Sequence, residues 1–243
     1  MKKVVIITLF GVFIFCIVSL AFLRPRKDLK RNLENMDLNG VDNLIIVAHP
    51  DDETLWGGAH IIKKRFLIVC VTCGDNSKRY REIKSVAKMS DNKFLALWYP
   101  DKTKNVRDDW SSYYNNIYDD LKYIMNYKKW NTIATHNPSG EYGHQHHKMT
   151  NEIVTNIYNE LDLSGDLYYF GQYYTKKQLK KNKQNINRAY KIDKKTQNFK
   201  NQKMIKRYRS QKFIQKMFNH MFEYEEWTKY EREGTNLDES KEK

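Results

Sequence analysis

Apolar and polar positions along the chain form short, strand-like runs that alternate with helix-like segments. The runs are continuously apolar, as in strands that are buried on both faces of a parallel sheet. The segments between them repeat apolar residues every three or four positions, which is typical of amphipathic helices. The predicted strands are residues 44–47, 66–72, 94–99, 131–135 and 167–174, and the predicted helices are residues 54–64, 79–89, 110–127 and 147–161. This alternation predicts an α/β fold with a Rossmann-like, mostly parallel sheet and helices on both faces.

A run of twenty uncharged residues, Val4–Leu23, precedes the strands and predicts one N-terminal transmembrane helix. At about 1.5 Å per residue it spans about 30 Å, the thickness of a bilayer core. A cleaved signal peptide is the alternative, but it would have a shorter apolar region that ends in small residues. Because most of the flanking Lys and Arg follow the run, the positive-inside rule favours a single-pass protein with its main domain in the cytosol.

Composition separates the remaining regions of the chain. We expect a transmembrane anchor at residues 1–23, a polar linker at 24–42, one large domain at 43–220 and a charged tail at 221–243. The net charge of +14 is uneven, because residues 176–216 hold sixteen Lys or Arg and one acid. This basic tract is interpreted as a solvated helix face or as a contact with an anionic leaflet, with RNA or DNA binding as the less favoured alternative. The chain has no recognised nucleic-acid motif, so we expect membrane lipid rather than nucleic acid as a partner.

Several common functional classes find no support in the sequence. Three cysteines exclude a disulfide scaffold, and Cys70 and Cys73, although spaced as C-x-x-C, have no second pair and are expected to pack as small apolar residues. No glycine-rich phosphate loop follows a predicted strand, and no Gly-x-Ser-x-Gly is present. His60 and His220 lie on helical patterns without partners in the sequence motifs and are interpreted as structural.

Four ionisable residues directly follow the first predicted strand, in the segment Ala48-His49-Pro50-Asp51-Asp52-Glu53. Carboxylates this close repel each other and raise each other's pKa, and a divalent cation relieves that repulsion. Imidazole nitrogen and carboxylate oxygen are both good ligands for zinc. If His49 and Asp52 bind one metal ion, Asp51 points elsewhere and stays free as a base.

A second cluster follows the predicted strand at 131–135, where three of the seven histidines lie within four residues. They are His144, His146 and His147, and the first and last are three apart, as on one turn of a helix. Because both clusters follow strands of the predicted parallel sheet, we expect their side chains to meet at one sheet edge. His136, at the strand end, is interpreted either as a structural residue or as a group that orients a ligand.

Two histidines and one carboxylate leave a zinc coordination position open for water, and the metal also polarises a carbonyl. Asp51 would accept the proton of that water. His144 would stabilise the oxyanion or protonate the departing amine. Together these residues predict the hydrolysis of an amide.

The motifs resemble those of the PIG-L/LmbE family of zinc-dependent N-deacetylases, in the segment Ala48–Glu53 (AHPDDE) and in the pair His144-x-x-His147. Gly74-Asp75-Asn76 is similar to the family's NGD segment, although Cys73 stands where Asn is common. The remaining similarities are Arg79-x-x-Glu82 and Tyr208-Arg209-Ser210-Gln211. The likeness covers roughly residues 43–215.

The resemblance implies removal of acetyl from an N-acetylglucosaminyl group of a glycolipid or polysaccharide. By motif match it assigns Zn²⁺, or another divalent cation, to the ligands His49, Asp52 and His147. It makes Asp51 the general base, His144 the electrostatic or acid partner, and Arg79 a substrate contact. Two alternatives stay open: an amidase of the same fold that acts on a soluble amino-sugar conjugate, and a non-catalytic membrane protein that binds sugar.

Overall fold

A six-stranded sheet and a two-stranded hairpin organise the computed structural model, which describes residues 29–72, 74, 76–182 and 191–232. The strands are β1 (Asn43–Val47), β2 (Phe66–Thr72), β3 (Lys93–Tyr99), β4 (Lys102–Thr103), β5 (Val106–Arg107), β6 (Thr132–Thr135), β7 (Asp166–Phe170) and β8 (Trp227–Lys229). The large sheet has the order β3-β2-β1-β6-β7-β8, and β4 pairs with β5. All neighbours in the large sheet are parallel except β7 and β8. The predicted mostly parallel sheet is confirmed.

Two compact units divide the chain, Met1–Asp37 and Leu38–Lys243. In the first unit, residues 29–34 are helical. The apolar run Val4–Leu23, predicted to be a transmembrane helix, lies outside the described residues. Within the part of the chain that the structure describes, no helix has both the length and the apolar character needed to cross a membrane.

Helices connect the strands, much as the periodicity predicts. They are α1 (Asp52–Lys63), α2 (Ser77–Met89), α3 (Tyr114–Met125) and α4 (Gln145–Glu160). The largest difference from the sequence pattern is at the start of α3, which was expected at Trp110. Trp110 has a left-handed φ of 57° and is fully buried, and its indole Nε1 donates a hydrogen bond to the Pro100 carbonyl (2.8 Å). The residue therefore belongs to a loop that anchors its ring, and the helix begins four residues later.

Side chains on both faces of the central strands are buried. Leu44 and Ile45 point to opposite faces of β1, and neither is exposed to solvent. The same holds for Leu67 and Ile68 in β2. Each such side chain contributes about 1.5–3 kcal/mol of hydrophobic stabilisation, so the layers above and below the sheet hold its centre rigidly in place.

The region after β7 is part of the same core. It contains α5 (Lys194–Phe199), a π-helical turn at Lys200–Met204, short 3₁₀ turns, and α6 (Lys212–Phe218). Tyr208 and Met204, inside the basic tract, belong to the main apolar cluster. The sequence interpretation of the tract as a solvated face is therefore wrong for its buried positions. Strand β8 extends the sheet past residue 220, where the sequence predicts a charged tail.

The order of the strands creates a crevice beside β1. From β1 the chain moves to β2 and β3 on one side, and later returns to β6 on the other side of β1. In open α/β sheets, ligands bind at the carboxyl ends of the strands where the direction of winding reverses in this way. Both clusters predicted from the sequence follow β1 or β6, so the topology brings them together.

Candidate metal centre and catalytic cleft

The loops after β1 and β6 are joined by a direct hydrogen bond. The backbone N–H of Ala48 donates to Nε2 of His136 (2.9 Å). The loop after β1 is itself held by Asp52, whose Oδ2 accepts the backbone N–H of His49 (2.9 Å). Between them Asp51 has a left-handed φ of 105°, which ends the loop and starts α1. Asp51 and Asp52 therefore leave the backbone in different directions, as the sequence argument requires.

Three predicted metal ligands form a triangle with nearly equal sides. His49 Nδ1 is 3.3 Å from His147 Nε2, and Asp52 Oδ2 is 3.3 Å from each of these nitrogens. A tetrahedral zinc ion with bonds of about 2.0–2.1 Å holds its ligand atoms about 3.3 Å apart. The three donor atoms therefore fit a tetrahedral divalent ion in both chemistry and spacing.

The charge of this triangle also suits a cation. Burial raises the pKa of Asp52, but the imidazole of His147 outweighs it and holds the pKa well below its ordinary value. Burial lowers the pKa of His147, but Asp52 and Glu141 outweigh it and raise the pKa to about 10. A carboxylate and an imidazolium thus share the triangle, and a metal ion placed there would take the position of the imidazolium proton.

Glu141 orients His147 from behind. Its Oε2 accepts hydrogen bonds from His147 Nδ1 (2.5 Å) and from His136 Nδ1 (3.1 Å), and its Oε1 accepts the backbone N–H of Asn137 (3.0 Å). The His136 and His147 rings stack with centroids 3.8 Å apart. With Nδ1–H of His147 fixed on Glu141, its Nε2 faces the triangle. His136 therefore packs against the predicted ligand His147 and shares its partner Glu141, a position that suits the second of the two roles expected from the sequence. The sequence pattern alone does not indicate Glu141.

His146 orients His49 in the same manner. Nε2 of His146 donates to the Asp108 carbonyl (2.6 Å), so its Nδ1 is the acceptor that faces His49 Nε2 (3.0 Å). The proton of His49 then lies on Nε2, and its Nδ1 lone pair points into the triangle. Trp110 stacks on the His146 ring with centroids 3.9 Å apart and the planes 4° from parallel. The sequence placed His146 in the histidine cluster but gave it no role.

Asp51 is the buried carboxylate that the triangle does not use. Its Oδ2 has no hydrogen-bond partner among the described residues, although the side chain is buried. Burial and the neighbouring charge of Asp52 raise the pKa of Asp51 well above its ordinary value. A carboxylate with a raised pKa and a free oxygen beside a metal position has the properties of a general base.

His144 lies next to the triangle. Its ring centroid is 4.7 Å from that of His49 and 4.4 Å from that of His147. Arg107 donates a hydrogen bond to its Nε2, and its Nδ1 is buried without a partner in the described part of the chain. Burial, followed by the nearby His49 and His147, lowers the pKa of His144 to about 2. His144 is therefore a neutral imidazole with one nitrogen available to a ligand.

Arg79 ties the loop after β1 to the loop after β3. Its Nη2 donates to the Pro50 carbonyl (3.0 Å) and its Nη1 to Asp101 Oδ2 (3.2 Å). Burial raises the pKa of Asp101, but His49 and then Arg79 outweigh it and hold the pKa well below its ordinary value. Arg79 also lines the cleft, so it is placed both to support the loop and to contact a ligand. Asp101 is a further site residue that the sequence did not indicate.

The segment Tyr208-Arg209-Ser210-Gln211 connects the C-terminal region to the start of α1 and to the middle of α2 through hydrogen bonds. The Tyr208 hydroxyl donates to Glu53, whose pKa burial raises to about 7. Ser210 donates to Glu82 through its backbone N–H (2.8 Å) and its hydroxyl (2.5 Å). These contacts are structural. Of the NGD-like segment, Gly74 accommodates the Trp98 ring where a Cβ would clash, whereas Cys73 and Asp75 lie outside the described residues.

A cleft of about 340 Å³ opens over the triangle, at the lower end of the range of about 300–1,000 Å³ that is usual for ligand pockets. The polar part of its lining consists of His49, Asp51, Asp52, Arg79, Asp101, Lys102, Arg107, Tyr142, His144 and Gln211. The apolar part consists of Leu55, Trp56, Phe213, Ile214, Met217 and Phe218.

Comparison with known proteins agrees with this geometry. Residues 44–158 match the model of the family described as PIG-L: GlcNAc-PI de-N-acetylase. The chain carries a PIG-L family domain. The matched segment includes His49, Asp51, Asp52, His144 and His147, so the resemblance drawn from the motifs is confirmed.

A protein of Acanthamoeba polyphaga mimivirus is similar to this chain in sequence. It is 29% identical to this chain over 136 residues, and the match covers 48% of this chain and 57% of the mimivirus protein. The chain thus spans less than two thirds of that relative.

Solved structures share the fold at low sequence identity. The N,N'-diacetylchitobiose deacetylase of Pyrococcus horikoshii superposes with a TM-score of 0.55 at 17% identity, covering 84% of this chain and 91% of that one. A deacetylase of an antimicrobial pseudoaglycone gives 0.53 at 14% identity, with coverages of 73% and 85%. The 4-carboxy-2-hydroxymuconate hydratase of Pseudomonas putida gives 0.51 at 11% identity, with coverages of 74% and 84%. The chain has the fold of PIG-L/LmbE-like deacetylases, and that fold also carries a hydratase.

Proposed function

We propose that the protein is a metal-dependent hydrolase that removes acetyl from an N-acetylglucosaminyl group of a glycolipid or polysaccharide. The observation that carries the proposal is the pairing of a ligand triangle with a separate, buried and unpaired carboxylate oxygen on Asp51. A site that only binds sugar has no need of a base beside a metal position. The family match and the deacetylases among the structural neighbours support the same reaction class.

The ligands of the ion are His49, Asp52 and His147, with zinc as the proposed metal. When bound, a divalent ion supplies polarisation of the acetyl carbonyl and lowers the pKa of water. Asp51 accepts a proton from the attacking water as the oxygen adds to the carbonyl carbon. His144 donates a hydrogen bond to the oxygen that becomes negative. The carbon–nitrogen bond then breaks, and the proton held by Asp51 reaches the departing amine.

Two other functions are compatible with the fold. An amidase that acts on a soluble amino-sugar conjugate would use the same residues with a different leaving amine. A non-catalytic protein that binds sugar would keep the cleft but would not need Asp51. Because a hydratase has a similar fold, the fold alone does not determine the reaction. The proposal therefore depends on the residues of the site.

The decisive experiment measures acetate release and free amine formation by the metal-loaded full-length protein on N-acetylglucosaminyl glycosides. Elemental analysis of the protein should find about one divalent ion per chain, as in a single catalytic site. The double substitution His49→Ala and His147→Ala should abolish both the bound metal and the release of acetate. A wild-type protein that binds the metal but releases no acetate from glycolipid, polysaccharide or soluble amino-sugar conjugates would favour the binding protein.

Membrane attachment is a separate proposal, supported by the apolar run Val4–Leu23. The intact chain should remain in the pellet after carbonate washing of membranes, because a transmembrane helix satisfies its own backbone hydrogen bonds in lipid. Protease protection in sealed vesicles should place the domain on the cytosolic side. A mature protein that begins after Leu23 would instead indicate a cleaved signal peptide.

A further inference from the structure

Helix α6 presents an apolar face to the catalytic cleft. Phe213, Ile214, Met217 and Phe218 all line the cleft, and their spacing of one and four residues places them on one side of the helix. The intervening Gln215 donates hydrogen bonds to the carbonyls of the preceding turns (2.6 and 2.9 Å), which fixes the helix rotation. The apolar face is therefore directed at the cleft by the fold.

The inner end of this face is packed, whereas the outer end is not. Phe218 is 2% exposed and contacts the rings of Trp56 and Tyr142, with centroids 5.7 and 5.1 Å away. Phe213 is 75% exposed and Met217 is 37% exposed. Exposed apolar side chains of this size cost free energy in water unless a ligand covers them.

Exposed apolar side chains are concentrated at this place. Among the described residues, six large apolar side chains are exposed, and three of them line the cleft, namely Tyr142, Phe213 and Met217. A contiguous apolar surface beside a polar site indicates binding of an apolar group, because scattered exposed residues would not share one cavity. The rest of the lining is polar and carries charges of both signs, from three aspartates and from Arg79, Lys102 and Arg107.

We propose that the cleft takes an amino sugar that carries an apolar aglycone, and that this aglycone lies along Phe213 and Met217. The sugar half of the inference rests on the proposed function. The apolar half rests on the lining of the cleft, which is continuous from the ligand triangle to the exposed face of α6. A sugar alone would occupy the polar part and leave the apolar part in contact with water.

The test compares the affinities of two ligands that differ only in the aglycone. Methyl and octyl β-glycosides of N-acetylglucosamine are titrated by calorimetry into the metal-loaded full-length protein, with the octyl compound below its micelle concentration. The octyl glycoside should bind about ten-fold tighter or more, the gain expected when about two methylene groups leave water. The double substitution Phe213→Ser and Met217→Ser should bring the ratio of the two affinities close to one.

Tyr127→Ser is the matched control, because Tyr127 is as exposed as Met217 but lies outside the cleft lining. It should leave the affinity ratio of the native protein unchanged. Equal affinities of the two glycosides for the native protein, or an unchanged ratio in the double variant, would overturn the inference. So would a double variant that loses binding to phosphatidylcholine vesicles while it keeps the ratio, because Phe213 and Met217 would then contact a membrane.

The affinity measurement separates this inference from the proposed function. If the octyl glycoside binds tighter through Phe213 and Met217 but neither glycoside is hydrolysed, the apolar subsite stands and the deacetylase proposal fails. If both glycosides are hydrolysed with equal affinities, the deacetylase stands and the apolar subsite fails.

Discussion

Two buried charge clusters contact helix α1, one along its middle and one at its N-terminal end, and they differ in how completely their polar atoms are paired. In the first, Lys200 Nζ donates to Glu225 Oε2 and to the Leu55 carbonyl, both at 2.9 Å. Glu225 also accepts the backbone N–H of Ala59 (2.8 Å) and of His60 (3.1 Å). Each buried side-chain nitrogen and oxygen of Lys200 and Glu225 has at least one hydrogen-bond partner, and in this sense the Lys200 cluster is saturated. Its only evident task is to hold the C-terminal region against α1.

The second, the proposed catalytic cluster around Asp51, Arg79 and His144, is largely buried but is not saturated. Asp51 Oδ2, Arg79 Nε and His144 Nδ1 are buried atoms without a hydrogen-bond partner in the described ranges. Leaving such atoms unpaired costs roughly 1–3 kcal/mol each, which a purely structural site would avoid. The comparison shows that a buried charge alone does not indicate a functional site. Unpaired polar atoms that converge on a cleft do.

The largest expected effect separates the two aspartates of the catalytic cluster. Asp51→Asn should lower kcat by roughly 10²–10⁴-fold, because the amide cannot accept the proton, while the metal content stays near that of the native protein. Asp52→Asn should instead weaken metal binding, since an amide oxygen is a poorer ligand than a carboxylate. Acetate release and elemental analysis of both variants give the answer. The opposite pattern would exchange the roles of the two residues.

In the Lys200 cluster the same kind of change should affect stability and not chemistry. Lys200→Met should lower the free energy of unfolding by about 3–5 kcal/mol, because it leaves the Glu225 carboxylate buried without its partner. Urea unfolding measures the loss. Lys203→Met, on the exposed side of the same π-helical turn, is the control and should change stability little.

A second variant distinguishes the charge from the packing of the Lys200 side chain. Its stem lies over Gly58 of α1, where an added Cβ would be 2.9 Å from Cδ, so the side chain fills a close space. Removing both charges with Lys200→Met and Glu225→Gln should recover part of the stability. No recovery would mean that the cluster stabilises the fold through packing.

The Lys200 cluster also predicts an acid-sensitive stability. Burial raises the pKa of Glu225, but Lys200 and then His60 outweigh it and lower the pKa to about 2, from an ordinary value of 4.5. A depressed pKa stabilises the folded state above the ordinary value, and this contribution is lost as the pH falls from about 4.5 through about 2. The expected loss is about 3 kcal/mol.

Urea unfolding at a series of pH values tests this sign. The difference in free energy of unfolding between the native protein and Glu225→Gln should be greatest above pH about 5 and should shrink towards pH about 2. Glu223→Gln is the control and should change stability little, because the ion pair of Glu223 with Lys191 (3.4 Å) is partly exposed to solvent. A Glu225→Gln difference that grows on acidification would contradict the assignment.

Sequence reasoning recovers those parts of the fold and site that depend on local pattern. The buried strands β1 and β2 are readable as continuous apolar runs, and the ligand triangle is readable from two motifs that follow parallel strands. The roles of His60 and Lys200 cannot be predicted from the sequence, because their partner Glu225 is far away in sequence. It reaches them only in the folded chain, where β8 pairs with β7 at the edge of the sheet. The basic tract appeared solvated since burial of Lys200 depends on that distant carboxylate.

The orienting residues of the site show the same limit. Glu141 and Asp101 are single acids in loops, and only the folded loops bring them to His147 and His49. Trp110 fits the helical periodicity of α3, and nothing local predicts that it turns back to stack on an imidazole. His146 stands beside two site residues in the sequence, yet its function depends on the loop after β5.

His146 provides the smallest predicted effect, and it tests whether the catalytic cluster relies on orientation as well as on ligands. His146→Ala removes the acceptor of the His49 Nε2 proton, so Nδ1 is no longer directed at the triangle. Metal affinity should fall by about 10–100-fold, the usual effect of losing a partner behind a ligand. His146→Asn should recover part of it, because its side-chain oxygen can accept the same proton.

Gln145→Ala is the control, since Gln145 is exposed at the adjacent position, and it should leave the metal affinity unchanged. Metal titration against a competing chelator measures all three. If Ala and Asn at position 146 weaken binding equally, the stacking on Trp110, and not the hydrogen bond to His49, is what His146 contributes.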